Sequence, residues 1–436
     1  MKRIANIYFF LFFCFLFSVS CCFSQSLTNS PYSRYGLGEL QYGGFSNNIP
    51  MGGIYTALQN DTTAPFYINT SNPASHSSVK LTVFDFGIKS NFNKLETSSA
   101  KFSSNQTALS HLALAFPAAK FWGISLGMIP YSSAGYRIHD EKNQDSIGTV
   151  KYSYEGKGGI NQLYWGNGFK VKNFSAGVNA SYLFGGLEFS SRDSFPDTSY
   201  FFNTKLSQTT NVSDLYFTTG AQYKMKLKKD WSLMLGGTFS WTQPVNVKKT
   251  TFAATYRNTL GVEVMKDTII NEEDVRGAIT IPMTLGGGFV LKKSDKWLFG
   301  FDYSMQNWED FDSFGQKGKL KNSQRFAFGA QYIPNKNAGT KEPYGKKIFY
   351  RAGFRFANSY LNLNAVPLND FAFTFGAGFP LRKMKAGETY SQSIINVGFE
   401  IGQMGTTDSN LIRQQYVKAV VGFTLNDRWF IKRKYD

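Results

Sequence analysis

Five charged residues in the last third of the chain have the side chains best suited to chemistry. They are Asp302, Arg325, Arg351, Arg355 and Glu400. Each lies where polar or small residues alternate with apolar ones, and a period of two places successive side chains on opposite faces of a strand. Because arginine pairs bidentately with carboxylates, a ladder of these charges would either stiffen the strands and hold another segment in place, or bind the anionic head group of a ligand.

Catalytic and metal-binding residues are scarce. The three histidines, His76, His111 and His139, are far apart in the sequence, and no strand-turn-helix elbow is expected to present a nucleophilic serine to any of them. His111 is expected to face the polar side of its strand. Neither histidines nor carboxylates show the spacing of a metal site. We therefore expect no catalytic residues, no metal, no cofactor and no enzyme activity.

Alternation with a period of two runs through most of the chain. Residues 371–379 read FAFTFGAGF, and similar patterns occur in fourteen segments between residues 79 and 425. One face of these strands is strongly aromatic and the other is small or polar, which is typical of a wall between lipid and a wet interior. The pattern predicts an all-β fold, a transmembrane antiparallel β-barrel of fourteen strands. The alternative is an irregular cytosolic β-protein.

The connections between these strands alternate in length. Short links fall at residues 117–120, 170–173 and 226–230, with long polar ones between them, including 251–276. Short turns on one rim and long loops on the other are typical of outer-membrane barrels, where the short turns are periplasmic.

The spacing of the tryptophans supports the prediction of a membrane-spanning barrel. Trp241 and Trp308 lie 10 and 11 residues beyond Trp231 and Trp297. A tilted strand crosses the hydrocarbon in about 9–11 residues, so each pair is expected to mark the two aromatic girdles.

The chain divides into four predicted segments. Residues 1–24 have a basic start, an apolar run and small residues before the cut, and so predict a secretory signal peptide; a lipoprotein signal is the alternative. All three cysteines lie there, which excludes disulfides from the mature chain. Residues 25–77 are turn-rich and predict a plug, or hatch, inside the lumen, the alternative being a flexible periplasmic tail. Residues 78–425 are the barrel, and 426–436 a C-terminal periplasmic tail.

The net charge of +17 is spread through the turns. No basic helix and no RNA-binding signature accompany it, so we expect no nucleic-acid partner. We interpret the positive charge as solubility of the turns, together with attraction to anionic lipid head groups of the outer membrane.

Several motifs together resemble the FadL-like outer-membrane family, which includes long-chain fatty-acid and toluene-type transporters. Met51-Gly52-Gly53 followed by Asn72-Pro73-Ala74 is similar to the hatch pattern of that family, and Pro130 to its proline step on the third strand. The chain departs from the family at Ser75, where glycine is common, and in an added stretch at residues 30–40.

The resemblance implies a channel in the outer membrane of a Gram-negative bacterium for passive uptake of hydrophobic or amphipathic small molecules. Gly52, Gly53, Asn72, Pro73 and Ala74 would form the gating part of the hatch. A break at Pro130 would open the wall toward lipid, the alternative being a simple bend near the outer rim. Some barrels of the family bind proteins instead. The alternative is therefore a protein-interaction component of a secretion or assembly complex, with partners at the loops or the rim.

Overall fold

The structure is a computed structural model. It describes residues 30–41, 44–60, 65–145, 147–197, 200–259, 262–318, 320–339, 341–363, 366–381, 384–386 and 389–427. The predicted signal peptide and residues 428–436 of the predicted tail lie outside these ranges. No helix in the described part of the chain is long and apolar enough to cross a membrane.

Fourteen strands form the wall. They are β2 (Thr82–Glu96), β3 (Lys101–Ala119), β4 (Trp122–Gln144), β5 (Gly148–Val171), β6 (Phe174–Ser194), β7 (Asn203–Lys226), β8 (Trp231–Ser240), β11 (Thr284–Lys293), β12 (Trp297–Gln306), β15 (Ser323–Tyr332), β16 (Phe349–Leu363), β17 (Val366–Pro380), β20 (Ile394–Met404) and β21 (Arg413–Asp427). Seven more strands lie outside the wall ladder: β1 (Glu39–Leu40), β9 (Gln243–Thr259), β10 (Val262–Ile281), β13 (Asp312–Ser313), β14 (Gln316–Lys317), β18 (Met384–Ala386) and β19 (Thr389–Ser391).

The wall is a closed antiparallel barrel, which confirms the predicted fold class and strand count. Each strand pairs with the next in the order just given, and β21 closes the circle on β2, from Thr82 opposite Asp427 to Glu96 opposite Arg413. Asn426 and Asp427 were predicted to begin the tail but belong to β21. Closure leaves no sheet edge for lipid to meet except where two neighbours fail to pair.

The two faces of the wall differ as the alternation predicts. On β17, Phe371, Phe373 and Phe375 are exposed on the outer face, whereas Ala372 and Thr374 are buried on the inner one. In a bilayer, acyl chains would cover the outer aromatic face. Small inward residues leave space in the lumen for other parts of the chain.

One rim carries long hairpins. Strands β4 to β7 have 21 to 24 residues, about twice what a tilted strand needs to cross the hydrocarbon. Of residues 251–276, predicted to be a long loop, 251–259 belong to β9 and 262–276 to β10, so that prediction was wrong. β9 pairs with the outer half of β7, and this neighbouring strand supplies the hydrogen-bond partners that an isolated polar hairpin would lack.

The N-terminal segment, the described residues from Ser30 to Leu81, packs against the inner face of the wall. Most of it is buried, including Ile54, Leu58, Asn72 and His76 at 0–1% exposure. Its regular structure consists of three short 3-10 helices, Pro31–Arg34, Ile49–Met51 and Pro73–Ser78, and of strand β1.

Candidate functional site

Gly52 and Gly53 form a tight turn against the wall. Both have φ near +70°, and a side chain on Gly52 would lie 2.6 Å from the carbonyl oxygen of Phe328. Arg325 reaches over the turn and donates from Nη2 to the carbonyl oxygens of Gly52 and Gly53, at 2.7 and 2.9 Å. The backbone N–H of Gly52 donates to Thr374 Oγ1 at 2.7 Å. This turn therefore requires glycine for conformation and for space.

Asp302 also binds the N-terminal segment. It accepts hydrogen bonds from the backbone N–H groups of Tyr55 (2.5 Å) and Thr56 (2.9 Å), and from the Thr56 hydroxyl. Because backbone amides and a hydroxyl surround the carboxylate, Asp302 fixes the position of residues 55 and 56.

Asn72, Pro73 and Ala74 begin the third short helix. Asn72 Oδ1 accepts from the Ala74 N–H at 3.1 Å and caps the helix, as asparagine commonly does. Its Nδ2 donates to the Thr56 carbonyl oxygen at 2.5 Å. Pro73 packs on Gly177 of the wall, where an added Cβ would approach it to 2.5 Å. The motif thus joins two parts of the N-terminal segment and rests on the wall.

His76 and His111 hold the same segment in place. His76 Nε2 lies 3.2 Å from Asn179 Oδ1, and burial lowers the pKa of this imidazole to about 4, so the ring is neutral at pH 7. His111 lies 2.9 Å from Asp85 and stacks face to face on Phe45, with ring centroids 3.7 Å apart. His111 faces inward and contacts the N-terminal segment rather than a substrate.

The serine motif around Ser125 does not have the geometry of a catalytic nucleophile. Gly123 to Gly127 fit the pattern Gly-x-Ser-x-Gly, but they lie inside β4 and not at a strand-to-helix turn. The Ser125 hydroxyl bonds to Tyr164 at 2.9 Å and to the Leu114 carbonyl oxygen. Within the ranges that the structure describes, no group of three His, Cys, Asp or Glu side chains could hold a metal ion.

The predicted charge ladder separates into three parts. In the first part, the side chains of Asp302 and Arg325 bind the N-terminal segment. Arg351 bonds to the neutral side chains of Gln331 (2.8 Å) and Asn396 (2.6 Å). The structure brings together Arg355 and Glu400, at 2.7 Å.

Arg355 is the centre of a buried ionic network in the wall. Its Nη1 lies 2.6 Å from Asp370, and its Nη2 contacts both Glu400 and the Tyr416 hydroxyl. Tyr416 in turn donates to Asp370 at 2.6 Å, and Lys418 lies 3.5 Å from Glu400. Sequence reasoning missed Asp370 and Tyr416, although Asp370 shares the inward alternation of Ala372 and Thr374 and could have been found by it.

Replacement of Arg355 by methionine should destabilise the barrel by about 3–5 kcal/mol, because two buried carboxylates lose their main cation. The expected readout is a lower temperature for conversion of the compact to the unfolded band on semi-native gels. Arg351→Met is the matched control: it removes an equally buried arginine with uncharged partners and should cost about 1–3 kcal/mol. Equal shifts for the two variants would contradict this account of the network.

The ladder between β3 and β4 ends part of the way along the two strands. β3 and β4 pair from Ala119 and Trp122 as far as Leu112 and Met128, and no pairing between them follows in the described residues. Pro130 lies just beyond that point and cannot donate to a ladder. We call the edges of β3 (residues 101–111) and β4 (residues 129–144) that do not pair with each other the seam.

Bulges occur on both sides of the seam. Ser110 on β3 has no register partner on β2, and Tyr131 on β4 has none on β5. Extra residues of this kind bend a strand and re-aim its side chains. The N-terminal segment covers part of the β4 edge: Glu39 and Leu40 of β1 pair with Ser133 and Ser132.

One cavity of about 190 Å³ lies inside the seam, and a second of the same volume adjoins it on the side of β7 to β15. They share Gln41, Ser71, Tyr131, Tyr216 and Thr218, and one of them reaches Ser110 and Pro130. Gln41 and Tyr131 were not foreseen, because only the fold places β1 beside the bulge of β4.

An apolar cluster closes the mouth above these cavities, at the rim with long hairpins. Tyr32 and Leu37 of the N-terminal segment pack there with Trp308 and Tyr360 of the wall side. Trp308 stacks on Tyr360 with centroids 4.3 Å apart, and the Tyr360 hydroxyl donates to the Gly38 carbonyl oxygen at 2.8 Å. Residues 30–40, the stretch added relative to the family, therefore lie across the lumen.

Solved structures share this fold at low sequence identity. The Ralstonia pickettii toluene transporter TbuX is 12% identical over 89% of this chain and 99% of its own, with a TM-score of 0.58. The P. putida toluene transporter TodX is 16% identical over 89% and 100%, with 0.57, and a Pseudomonas aeruginosa FadL homologue is 12% identical over 90% and 100%, also with 0.57.

These likenesses confirm the resemblance of the fold to FadL-family barrels. No curated protein matches the chain. The family model described as BamG matches residues 3–436, nearly the full length. The chain belongs to the BamG family.

Proposed function

We propose that the protein is a channel in the outer membrane of a Gram-negative bacterium for passive uptake of hydrophobic or amphipathic small molecules. The seam carries this proposal: the β3–β4 ladder ends at Leu112 and Met128, and a cavity lined by Ser110 and Pro130 lies directly inside. A ligand dissolved in the outer leaflet would enter between the two strands and reach the cavities without crossing the mouth.

The closed mouth favours this lateral route. Tyr32, Leu37 and Trp308 are at most 5% exposed, and burial of each such side chain contributes about 1.5–3 kcal/mol. An axial path from that rim would have to break this cluster. The solved relatives named for transport of toluene support a substrate class that partitions into lipid.

Release toward the opposite rim would require the N-terminal segment to move. The Gly52-Gly53 turn and the Asn72-Pro73-Ala74 motif are two of its contacts with the wall, through Arg325 and Thr374 at the first and Gly177 at the second. A hydrogen bond contributes about 0.5–1.5 kcal/mol net, so a bound ligand that competes with a few of them would shift the equilibrium. In this role the segment is a hatch.

Uptake of the fluorophore N-phenyl-1-naphthylamine by Gram-negative cells with an intact lipopolysaccharide leaflet tests the function. Cells that produce the protein should take up the dye several-fold faster than cells without it. Ser110→Trp should return uptake to the background rate, because the indole fills the cavity at the seam. Leu112→Trp is the matched control, since Leu112 lies two residues away and is exposed on the outer face. Uptake no faster than in cells without the protein would overturn the channel, and uptake that is equal in the wild type and both variants would overturn entry at the seam.

A second function, protein interaction in an assembly or secretion complex, is favoured by β10. Residues 262–276 pair with β9 on one side and have no partner on the other side in the described part of the chain. Both faces of this strand are exposed, including Val262 and Ile269 at 63%, and a free edge can receive a strand from another protein. Two results together would support this function over the channel. Some proteins should co-purify with the wild type but not with a variant that lacks the β9–β10 hairpin, and cells that produce the protein should take up no more dye than cells without it.

A further inference from the structure

We propose that the two adjoining cavities at the seam select neutral ring compounds that carry a hydroxyl group, such as phenols, over hydrocarbons of the same size. This inference rests on the proposed function, because it names the class of molecule that the seam admits. It separates this chain from the solved toluene transporters of similar fold.

The two cavities adjoin each other. Five residues line both, among them Tyr131, Tyr216 and Gln41. Each cavity has about 190 Å³, which suits a single-ring molecule.

The lining mixes hydrogen-bonding groups with apolar surface. Of the seventeen residues around the cavity that Leu40 lines, seven are serine or threonine, three are tyrosine and three are glutamine, while leucine, phenylalanine and methionine supply one each. Several of these groups already bond within the protein, as Tyr216 does to Ser240 and Gln306 to Thr284. A hydrocarbon would leave the hydroxyl of Tyr131 without a partner, which is unfavourable in a buried site. A hydroxyl on the ring would supply that partner, and the carbon atoms of threonine and tyrosine would still contact the ring.

Tyr131 is the residue that we expect to hydrogen-bond to the hydroxyl group of the ligand. It is the unpaired residue of the β4 bulge, it lines both cavities, and its own hydroxyl makes no hydrogen bond to the described part of the chain. Its ring lies edge-on to Tyr216 at 6.0 Å between centroids, which fixes its direction. Tyr216 already uses its hydroxyl on Ser240, at 2.6 Å.

Two cations line the cavities, Lys89 in one and Arg325 in the other, and both already bind neutral oxygen atoms. Lys89 donates to Gln41 Oε1, and Arg325 holds the carbonyl oxygens of Gly52 and Gly53. A neutral ligand can bind without disturbing these contacts.

Calorimetric titration of the full-length protein in micelles, with the heat of partition into empty micelles subtracted, tests this selectivity. Phenol should bind about tenfold more tightly than toluene, the equivalent of about 1.4 kcal/mol. Tyr131→Phe should remove most of that preference by weakening phenol binding about 5- to 10-fold, with toluene binding unchanged. Tyr303→Phe is the control, because Tyr303 neighbours the inward Asp302 on β12 and lines neither cavity. An unfolded Tyr131→Phe protein would be detected on semi-native gels, and Thr218→Val, which also removes a lining hydroxyl, then serves in its place.

Toluene binding as tight as phenol binding to the wild type would overturn the inference, as would phenol binding that neither variant weakens. These results are separable from failure of the channel itself. If Ser110→Trp blocks dye uptake but the wild type binds phenol no better than toluene, the channel stands and only the phenol selectivity is contradicted. Selective phenol binding without dye uptake would leave a binding site and remove the channel.

Discussion

Deletion of residues 25–77 should raise the single-channel conductance of the protein in planar bilayers by at least about tenfold. A fourteen-stranded barrel is much wider than the eight-stranded ones that side chains fill, and approaches the 16–18-stranded porins that hold water. In the intact chain this space is occupied by the N-terminal segment, whose buried residues contact the wall near Asp302, Arg325 and Gly177. Once the segment is absent, water can enter and solvate the charges that it covered.

A shorter deletion provides the control for this experiment. Removal of residues 25–41 takes away β1 and the apolar contacts of the mouth but keeps the contacts of residues 44–77, so its conductance should be intermediate. Both variants must retain heat-modifiable mobility, which shows that the barrel has formed. An intact barrel whose conductance does not change on deletion of residues 25–77 would mean that this segment does not close the lumen.

The wall of the barrel follows from local sequence pattern. Alternation such as that of residues 371–379 specifies which side chains face lipid, and it does so for each strand alone. Short turns such as residues 172–173 fix the neighbour of a strand. Fourteen strands and their order could therefore be predicted. The hairpin β9–β10 could not, because its polar residues are ordered by pairing with β7, more than thirty residues away.

Contacts between distant elements account for the other differences. Arg355 and Glu400 were on the expected face, but only the register of β16, β17, β20 and β21 brings Asp370 and Tyr416 to them. Asp302 looked like a partner for arginine, yet in the structure it binds backbone amides of residues 55 and 56. Alternation gives the face on which a side chain lies, but its partner depends on which elements the fold places opposite.

The seam shows the same limit. Pro130 marks a place where a ladder bond cannot form, and that much is local. That β1 lies along the β4 edge there depends on residues 30–40, which have little alternation of their own. The path of those residues is stabilised by Tyr32, whose hydroxyl contacts the backbone of Ile412, just before β21.

A disulfide between β1 and β4 should stop uptake through the seam. Leu40 and Ser132 are directly opposite in an antiparallel pair, where Cα atoms lie about 4.5–5.5 Å apart, within the range of about 4.4–6.8 Å that a disulfide accepts. Because β1 covers this part of the β4 edge and Leu40 lines the cavity that adjoins the seam, we expect a ligand that enters from lipid to displace this part of β1. Since the mature chain is expected to have no cysteine, Leu40→Cys with Ser132→Cys should form a single bond.

The uptake rate of this double variant, oxidised and then reduced, tests the central claim most directly. We expect dye uptake at the background rate when the bond is formed, return to the wild-type rate after reduction, and no response to oxidant in either single-cysteine variant. Uptake that stays at the wild-type rate with the bond fully formed would contradict a lateral route through the seam.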